Sequence, residues 1–263
     1  MTQQTKTKLS PSQDASLEIS VVVPVCDEEG NVSPLIEEIA AAFPDTDQVE
    51  IIYVDDGSRD STPAVLKDCQ SKHKNLRVLT HAQRSGQSRA IRTGVLAARG
   101  RLICVLDGDG QNNPADLPRL VALFNAALAE GDAIGMVMGE REKRQDSGFR
   151  RFISRVANAC NRALLNHTAK DVGCGLKVVA GPVFKQLPYF DHMHRFMPAL
   201  ISREGLSVRY ERVTHRARDR GQSKYGTLER ALAGLVDLFG VYWLVKRSKR
   251  PDVQEEVPHG VDR

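Results

Sequence analysis

Two aspartates one residue apart, Asp107 and Asp109, follow directly on the apolar run Leu102-Ile103-Cys104-Val105-Leu106. An apolar run closed by acid-Gly-acid-Gly reads as a buried strand ending in a tight loop. Such loops lie outside the carboxyl ends of strands, where open α/β sheets bind ligands. Two carboxylates this close repel each other unless a cation lies between them. Mg²⁺ or Mn²⁺ carrying a diphosphate is the natural occupant, because these ions take carboxylate and phosphate oxygens together. The plainer alternative is a polar turn with two solvated acids. A second acidic pair, Asp55-Asp56, closes another apolar run and is followed by Gly57-Ser58. Carboxylates at such a place commonly hold ribose hydroxyls or base edges. Asp and Ser also cap helices, which leaves a structural alternative open.

These acids require strands to carry them, and the pattern supplies strands. Ile19–Val25, Glu50–Val54, Leu76–Leu79 and Ala133–Gly139 are short β-branched or apolar runs. Between them lie helical periodicities. Ser33-Pro34 looks like an N-cap with Pro at the first helical position, and Thr62-Pro63 opens a second helix. Gly86 to Ala98 presents a small-residue face, and Pro114 to Ala129 is expected to place Leu117, Leu120, Val121, Phe124 and Leu128 inward. Strict alternation of β and α predicts a mostly parallel sheet flanked by helices, with right-handed crossovers. The two acidic loops then share one sheet edge.

Composition narrows the function. The chain has 263 residues and a net charge of +4, too mild to imply a nucleic-acid partner. Its five cysteines are scattered, with no Cys-x-x-Cys, and read as reduced core residues of a cytoplasmic protein without a zinc site. Residues 1–16 are polar and read as a disordered tail, 17–226 as the catalytic domain, 227–250 as an amphipathic helix, and 251–263 as a flexible tail. The apolar run Ala231–Val245 falls short of the roughly 20 residues a spanning helix needs. Phe239, Tyr242 and Trp243 followed by Lys246-Arg247-Ser248-Lys249-Arg250 give it the composition of an interfacial helix. A core helix or a dimer contact is the alternative.

Several motifs then act in concert. Val22-Val23-Pro24-Val25 with Glu28-Glu29-Gly30-Asn31 comes first, then Val54-Asp55-Asp56-Gly57-Ser58, Gly86-Gln87, and Asp107-x-Asp109-x-Gln111-x-x-Pro114. In this order and spacing they resemble family 2 glycosyltransferases of the GT-A fold. Gly139-x-Arg141, Asp171-x-Gly173-Cys174, His194-Arg195-Phe196-Met197-Pro198 and Arg218-x-x-Gly221-x-Ser223-Lys224-Tyr225 narrow the resemblance to the polyprenyl-phosphate sugar synthases, the dolichyl-phosphate mannosyltransferase-like branch.

The resemblance implies an inverting, metal-dependent transferase. It implies a nucleotide-diphospho-sugar donor (GDP-mannose or a UDP-sugar), a polyprenyl phosphate acceptor, and Mg²⁺ or Mn²⁺. Carried over residue by residue, Pro24, Glu28, Asp55, Asp56 and Gly86 would bind the nucleotide sugar. Asp107, Asp109 and Gln111 would hold metal and diphosphate. Arg141, Arg218, Ser223 and Lys224, with His194 and Arg195, would hold phosphate of donor or acceptor. Asp107, Asp109 and Arg141 would act in catalysis, and Lys177, where several relatives carry Arg, would bear on sugar choice. A phosphate monoester acceptor is itself an anion near neutral pH, its second pKa being about 6, so no general base is demanded. The implied location is the cytoplasmic face of the cell membrane, peripheral, with room for an integral membrane partner or a homo-oligomer. A family 2 transferase acting on a non-lipid glycan, and a non-catalytic nucleotide-sugar-binding module, are the competing readings.

Overall fold

The computed structural model describes residues 17–141, 173–216 and 227–249. The strands among them are β1 (Ile19–Val25), β2 (Val49–Asp55), β3 (Leu76–Thr80), β4 (Leu102–Val105), β5 (Ile134–Arg141), β6 (Lys177–Ala180) and β7 (Ser207–Val213). The helices are α1 (Glu29–Ala42), α2 (Thr62–Lys72), α3 (Gln87–Ala97), α4 (Leu117–Ala129), α5 (Gly181–Gln186), α6 (Met197–Arg203) and α7 (Thr227–Arg247). All seven strands form one sheet in the order β3-β2-β1-β4-β6-β5-β7.

The expected mostly parallel sheet is present. Only β6 runs against its neighbours, β4 and β5. That reversal has a consequence for the site. It brings the first residue of β6, Lys177, to the edge where the parallel strands end, with Val105 on one side and Met138 on the other.

β1 and β2 are buried along their whole length, as β-branched strands covered on both faces must be. α3 packs directly on them. A Cβ on its Gly94 would lie 2.4 Å from Val22 Cγ1, so the small-residue face lets helix and sheet approach closely. Pro24 is tolerated in this central strand because β4 pairs with β1 only as far as Val22. Leu106 N–H donates to Val22 O, and Pro24 faces the same side after β4 has left the ladder.

One boundary differs from expectation. α1 begins at Glu29, with Pro34 inside it, and not after Ser33. The N–H groups of Asn31 and Val32 donate to Glu28 O, while those of Glu28 and Glu29 donate to Thr62 Oγ1 and Asp60 Oδ2. Side chains from the β2–α2 loop and the start of α2 thus satisfy the helix terminus, so no local cap is needed. α7 runs from Thr227 to Arg247.

Candidate active site

The site grows from the carboxyl ends of β1, β2, β4 and β5 and the start of β6. After β1 the chain turns through Asp27, whose φ of 55° is left-handed, a conformation Asp tolerates better than most residues. Asp27 N–H donates to Ser58 Oγ, and Arg59 N–H donates back to Asp27 Oδ1 at 2.7 Å. Ser61 N–H similarly donates to Glu29 Oε2. The loops after β1 and β2 are therefore one interlocked unit. Within it the Glu28 carboxylate accepts from Asn31 Nδ2 at 2.6 Å.

The two acids after β2 do different things. Asp55 is buried, and its Oδ1 accepts from Ser58 N–H at 3.0 Å. Its Oδ2 is buried with no hydrogen-bond partner. A buried carboxylate oxygen left without a donor is costly, and it marks a place built for one. Asp56 faces inward. It accepts from Ser85 N–H and Gly86 N–H, both at 2.8 Å, and from His81 Nδ1 at 2.7 Å. Asp56 thus fixes the loop that leads into α3, with Gly86 at φ 93° as its last residue. His81 is anchored in turn by Thr93 Oγ1 of α3 at 2.9 Å.

Asp107 stands at the centre. Gln87 Nε2, from the first residue of α3, donates to its Oδ1 at 2.7 Å. Its backbone N–H donates to Oδ1 of the buried Asn112 at 3.2 Å. A Cβ on Gly175 would lie 2.2 Å from Asp107 Oδ2, so only glycine leaves room for the carboxylate there. Gly108 is equally confined, its missing Cβ lying 2.8 Å from Pro24 O. Desolvation pushes the Asp107 carboxyl above the usual carboxylate range. Lys177 and Arg141 pull it down by charge, Asp109 pushes it up, and the Gln87 hydrogen bond pulls it down. Asp107, Asp109, Lys177 and Arg141 thus lie within electrostatic reach of one another. Lys177 is buried and donates to Cys174 O at 2.5 Å, which pins the Gly173–Gly175 turn.

Gln111 is turned toward the segment that follows β7. Its O accepts from Arg216 N–H at 3.0 Å, and its Nε2 reaches Arg216 O at 3.4 Å. Thr214 bonds Asp116 through both its N–H and its Oγ1, at 2.9 and 2.7 Å. His194 lies in the 3-10 turn Met193–Arg195, and its Nδ1 is hydrogen-bonded to Ser88 Oγ of α3 at 2.7 Å. Arg218, Ser223 and Lys224 and the Asp171 turn lie outside the described residues. The partners that sequence reasoning left without a role are Gln87, Asn112 and Gly175. Gln87 sat in a quoted motif, but nothing local shows that Gly175 meets Asp107.

The donor set bears on a metal. Among the described residues no group of three or more His, Cys, Asp or Glu could close around an ion alone. Asp107 and Asp109 offer carboxylates from one loop, and Lys177 and Arg141 offer positive charge. That set fits an ion shared with an anionic ligand, which would complete the coordination with its own oxygens.

Residues 20–180 match the family model for glycosyl transferase family 2. The dodecaprenyl-phosphate galacturonate synthase of Rhizobium johnstonii is 36% identical over 241 residues, covering 90% of this chain and 70% of the relative. The undecaprenyl-phosphate 4-deoxy-4-formamido-L-arabinose transferase of Edwardsiella ictaluri is 34% identical over 213 residues, covering 80% of this chain and 64% of the relative. Among solved structures, glucosyl-3-phosphoglycerate synthase from Mycobacterium tuberculosis with Mn²⁺, UDP-glucose and glycerol 3-phosphate aligns with a TM-score of 0.63 at 22% identity, over 90% of this chain and 82% of that one. A mannosyltransferase from Pyrobaculum calidifontis with GDP-mannose and Mn²⁺ aligns with a TM-score of 0.64 at 18% identity, over 92% and 70%. The GT-A fold expected from the sequence is the fold found.

Proposed function

From the premise that the chain belongs to glycosyl transferase family 2, we propose that it transfers a sugar from a nucleotide-diphospho-sugar to polyprenyl phosphate with inversion at the anomeric carbon. The observation that carries this reading is the charge arrangement along one sheet edge. A buried, unpartnered Asp55 oxygen lies at one end, and the Asp107–Asp109 pair with Lys177 and Arg141 lies at the other. Such an edge suits a ligand with an N–H-bearing base at one end and a diphosphate at the other.

In this reading Asp55 Oδ2 accepts from the base, and the Asp27–Ser58 unit shapes its pocket. Asp107 and Asp109 would hold a divalent ion together with the donor's diphosphate, and Gln87, Asn112 and Gly175 fix the Asp107 carboxylate. The ion, when bound, neutralises charge that builds on the departing diphosphate. Arg141 and Lys177 add positive charge at the same place, where it is worth most in the transition state. A phosphate oxygen of the acceptor attacks the anomeric carbon as the bond to the diphosphate breaks. The electron pair leaves with the nucleoside diphosphate, and no proton needs to move, because the acceptor is already ionised. The cations must also bring two anions together, a task that guanidinium groups suit.

The relatives' names place their acceptors among dodecaprenyl and undecaprenyl phosphates. We carry over the acceptor class, and with it a peripheral position at the cytoplasmic face of a membrane. No helix of the described residues is long and apolar enough to cross one. The test is a transfer assay with Mn²⁺ or Mg²⁺, a short polyprenyl phosphate, and GDP- and UDP-sugars in parallel. Nucleoside diphosphate release should require the lipid and fall at least about 100-fold in Asp109→Asn. Release with no dependence on lipid, or none with any donor, would overturn the reading.

A further inference from the structure

From Val236 onward, helix α7 is apolar on two opposite sides. Leu238 and Val241 are buried and Val245 partly so, and α7 packs against α6. The opposite side carries Val236, Phe239 and Trp243, at 73%, 65% and 59% exposure, one stripe at i, i+3 and i+7, flanked by Tyr242. Among the described residues six large apolar side chains are exposed, and four of them are these; Leu96 and Leu128 stand singly on α3 and α4. Isolated exposed leucines need no explanation, but a contiguous aromatic stripe does. A surface helix normally turns one apolar face to the core and a polar face outward.

The charge around the stripe identifies what covers it. Lys246, Arg247 and Lys249 are exposed at its carboxyl end, with Lys246 Nζ 5.8 Å from the centre of the Tyr242 ring. From Val236 to Lys249 the one acid is Asp237, which accepts from His192 Nδ1 at 2.9 Å. A second copy of this face would therefore bring cations with no exposed carboxylate on the stripe to meet them. An anionic bilayer supplies both an apolar boundary for the aromatics and phosphates for the cations.

We propose that the exposed side of α7 is a docking face for an anionic lipid surface. The choice of a bilayer over another apolar partner rests in part on the lipid acceptor proposed above. The helix is also tied to the site edge. Asp237 holds His192, His194 two residues on is bonded to Ser88, and Gln87 beside it donates to Asp107. Docking α7 therefore sets the orientation of that edge over the membrane.

Trp243 is the only tryptophan in the chain, so its fluorescence reports this face alone. The full chain is titrated with phosphatidylcholine vesicles containing phosphatidylglycerol and no polyprenyl phosphate. Trp243 emission should shift to the blue and be quenched by brominated acyl chains, and the protein should float with the vesicles. The variant Phe239→Ser/Trp243→Ser should melt like the parent and lose at least about tenfold in flotation. Emission unmoved by vesicles, or a blue shift that appears without lipid as protein concentration rises, would overturn the proposal; the latter would make the stripe a contact between copies. Transfer to a short, detergent-dispersed acceptor is measured alongside. Transfer with a silent Trp243 would sink the docking face and leave the reaction standing, and a responsive Trp243 without transfer would do the reverse.

Discussion

Asp107 is held against its own charge. Burial and Asp109 raise its pKa more than Lys177, Arg141 and Gln87 lower it. The sign for stability follows from linkage. A carboxyl whose folded pKa lies above its unfolded value favours the fold below the unfolded pKa, and that contribution is lost as pH rises through the folded pKa. Metal-free protein should therefore lose stability as pH climbs through the acidic range into the raised Asp107 pKa. Asp107→Asn should melt higher than the parent near neutral pH and abolish transfer. A thermal melt across pH with chelator present reads this directly, and a lower melting temperature for the variant would contradict it. Gly175→Ala tests the same carboxylate by shape. The added methyl would lie 2.2 Å from Asp107 Oδ2, so the carboxylate must move. Restoring ordinary contact needs a shift of about 1 Å, which should cost about 100-fold in kcat, with the protein still folded. The acids themselves were legible because two carboxylates at a strand end are unusual. Gly175 was not, because its contact with Asp107 spans 68 residues (175 − 107) and leaves no local pattern.

The elements were legible where the chain is β-branched and alternates with helical periodicity, which covers β1 to β5 and α2 to α4. They were not where a tertiary partner decides. α1 starts early because Asp60 and Thr62 cap it from another loop. β6 is four residues long, and nothing in Lys-Val-Val-Ala says that it inserts antiparallel between β4 and β5. β7 was hidden because its arginines and glutamate read as a charged surface, although Arg209 meets Asp132 at 3.1 Å and Glu211 meets Arg119 at 2.6 Å. A third kind of hidden feature lies at the amino end of the strands, away from the acidic loops. Buried Glu50 on β2 accepts from Ser20 Oγ of β1 at 2.6 Å, from Arg99 N–H at 2.7 Å and from Arg77 at 2.5 Å. One carboxylate thus joins β1, β2, β3 and the turn before β4. Glu50→Ala would leave Arg77 half-buried without its carboxylate and Arg99 N–H with only the longer bond to Ser20 Oγ at 3.2 Å. It should cost about 2–4 kcal/mol in chemical denaturation, while donor affinity in the protein that remains folded is unchanged. A loss below 0.5 kcal/mol, an ordinary surface value of about that size, would show the cluster to be ornamental.

At the scale of the whole molecule, a net charge of only +4 hides an uneven distribution. Asp55, Asp56, Asp107 and Asp109 gather at the sheet edge, while Lys246, Arg247 and Lys249 stand exposed beside the aromatic stripe of α7. Those three cations and the aromatics contribute in different ways. Apolar burial is insensitive to salt, whereas attraction to an anionic leaflet decays over a Debye length of about 8 Å at physiological ionic strength. Each basic residue near such a surface is worth about 1 kcal/mol. Replacing all three by Gln should therefore weaken vesicle partitioning by about 100-fold at low salt and flatten its salt dependence, leaving the melting temperature in place. Phe239→Ser/Trp243→Ser should weaken partitioning at every salt concentration and keep the slope. Flotation of the two variants between low and high salt separates the contributions. If the Gln variant kept the parent's slope, the attraction would lie on another surface, and α7 would anchor without steering. If both slopes behave as expected, the fold meets a lipid surface by a face that lies outside the sheet edge of Asp55 and Asp107.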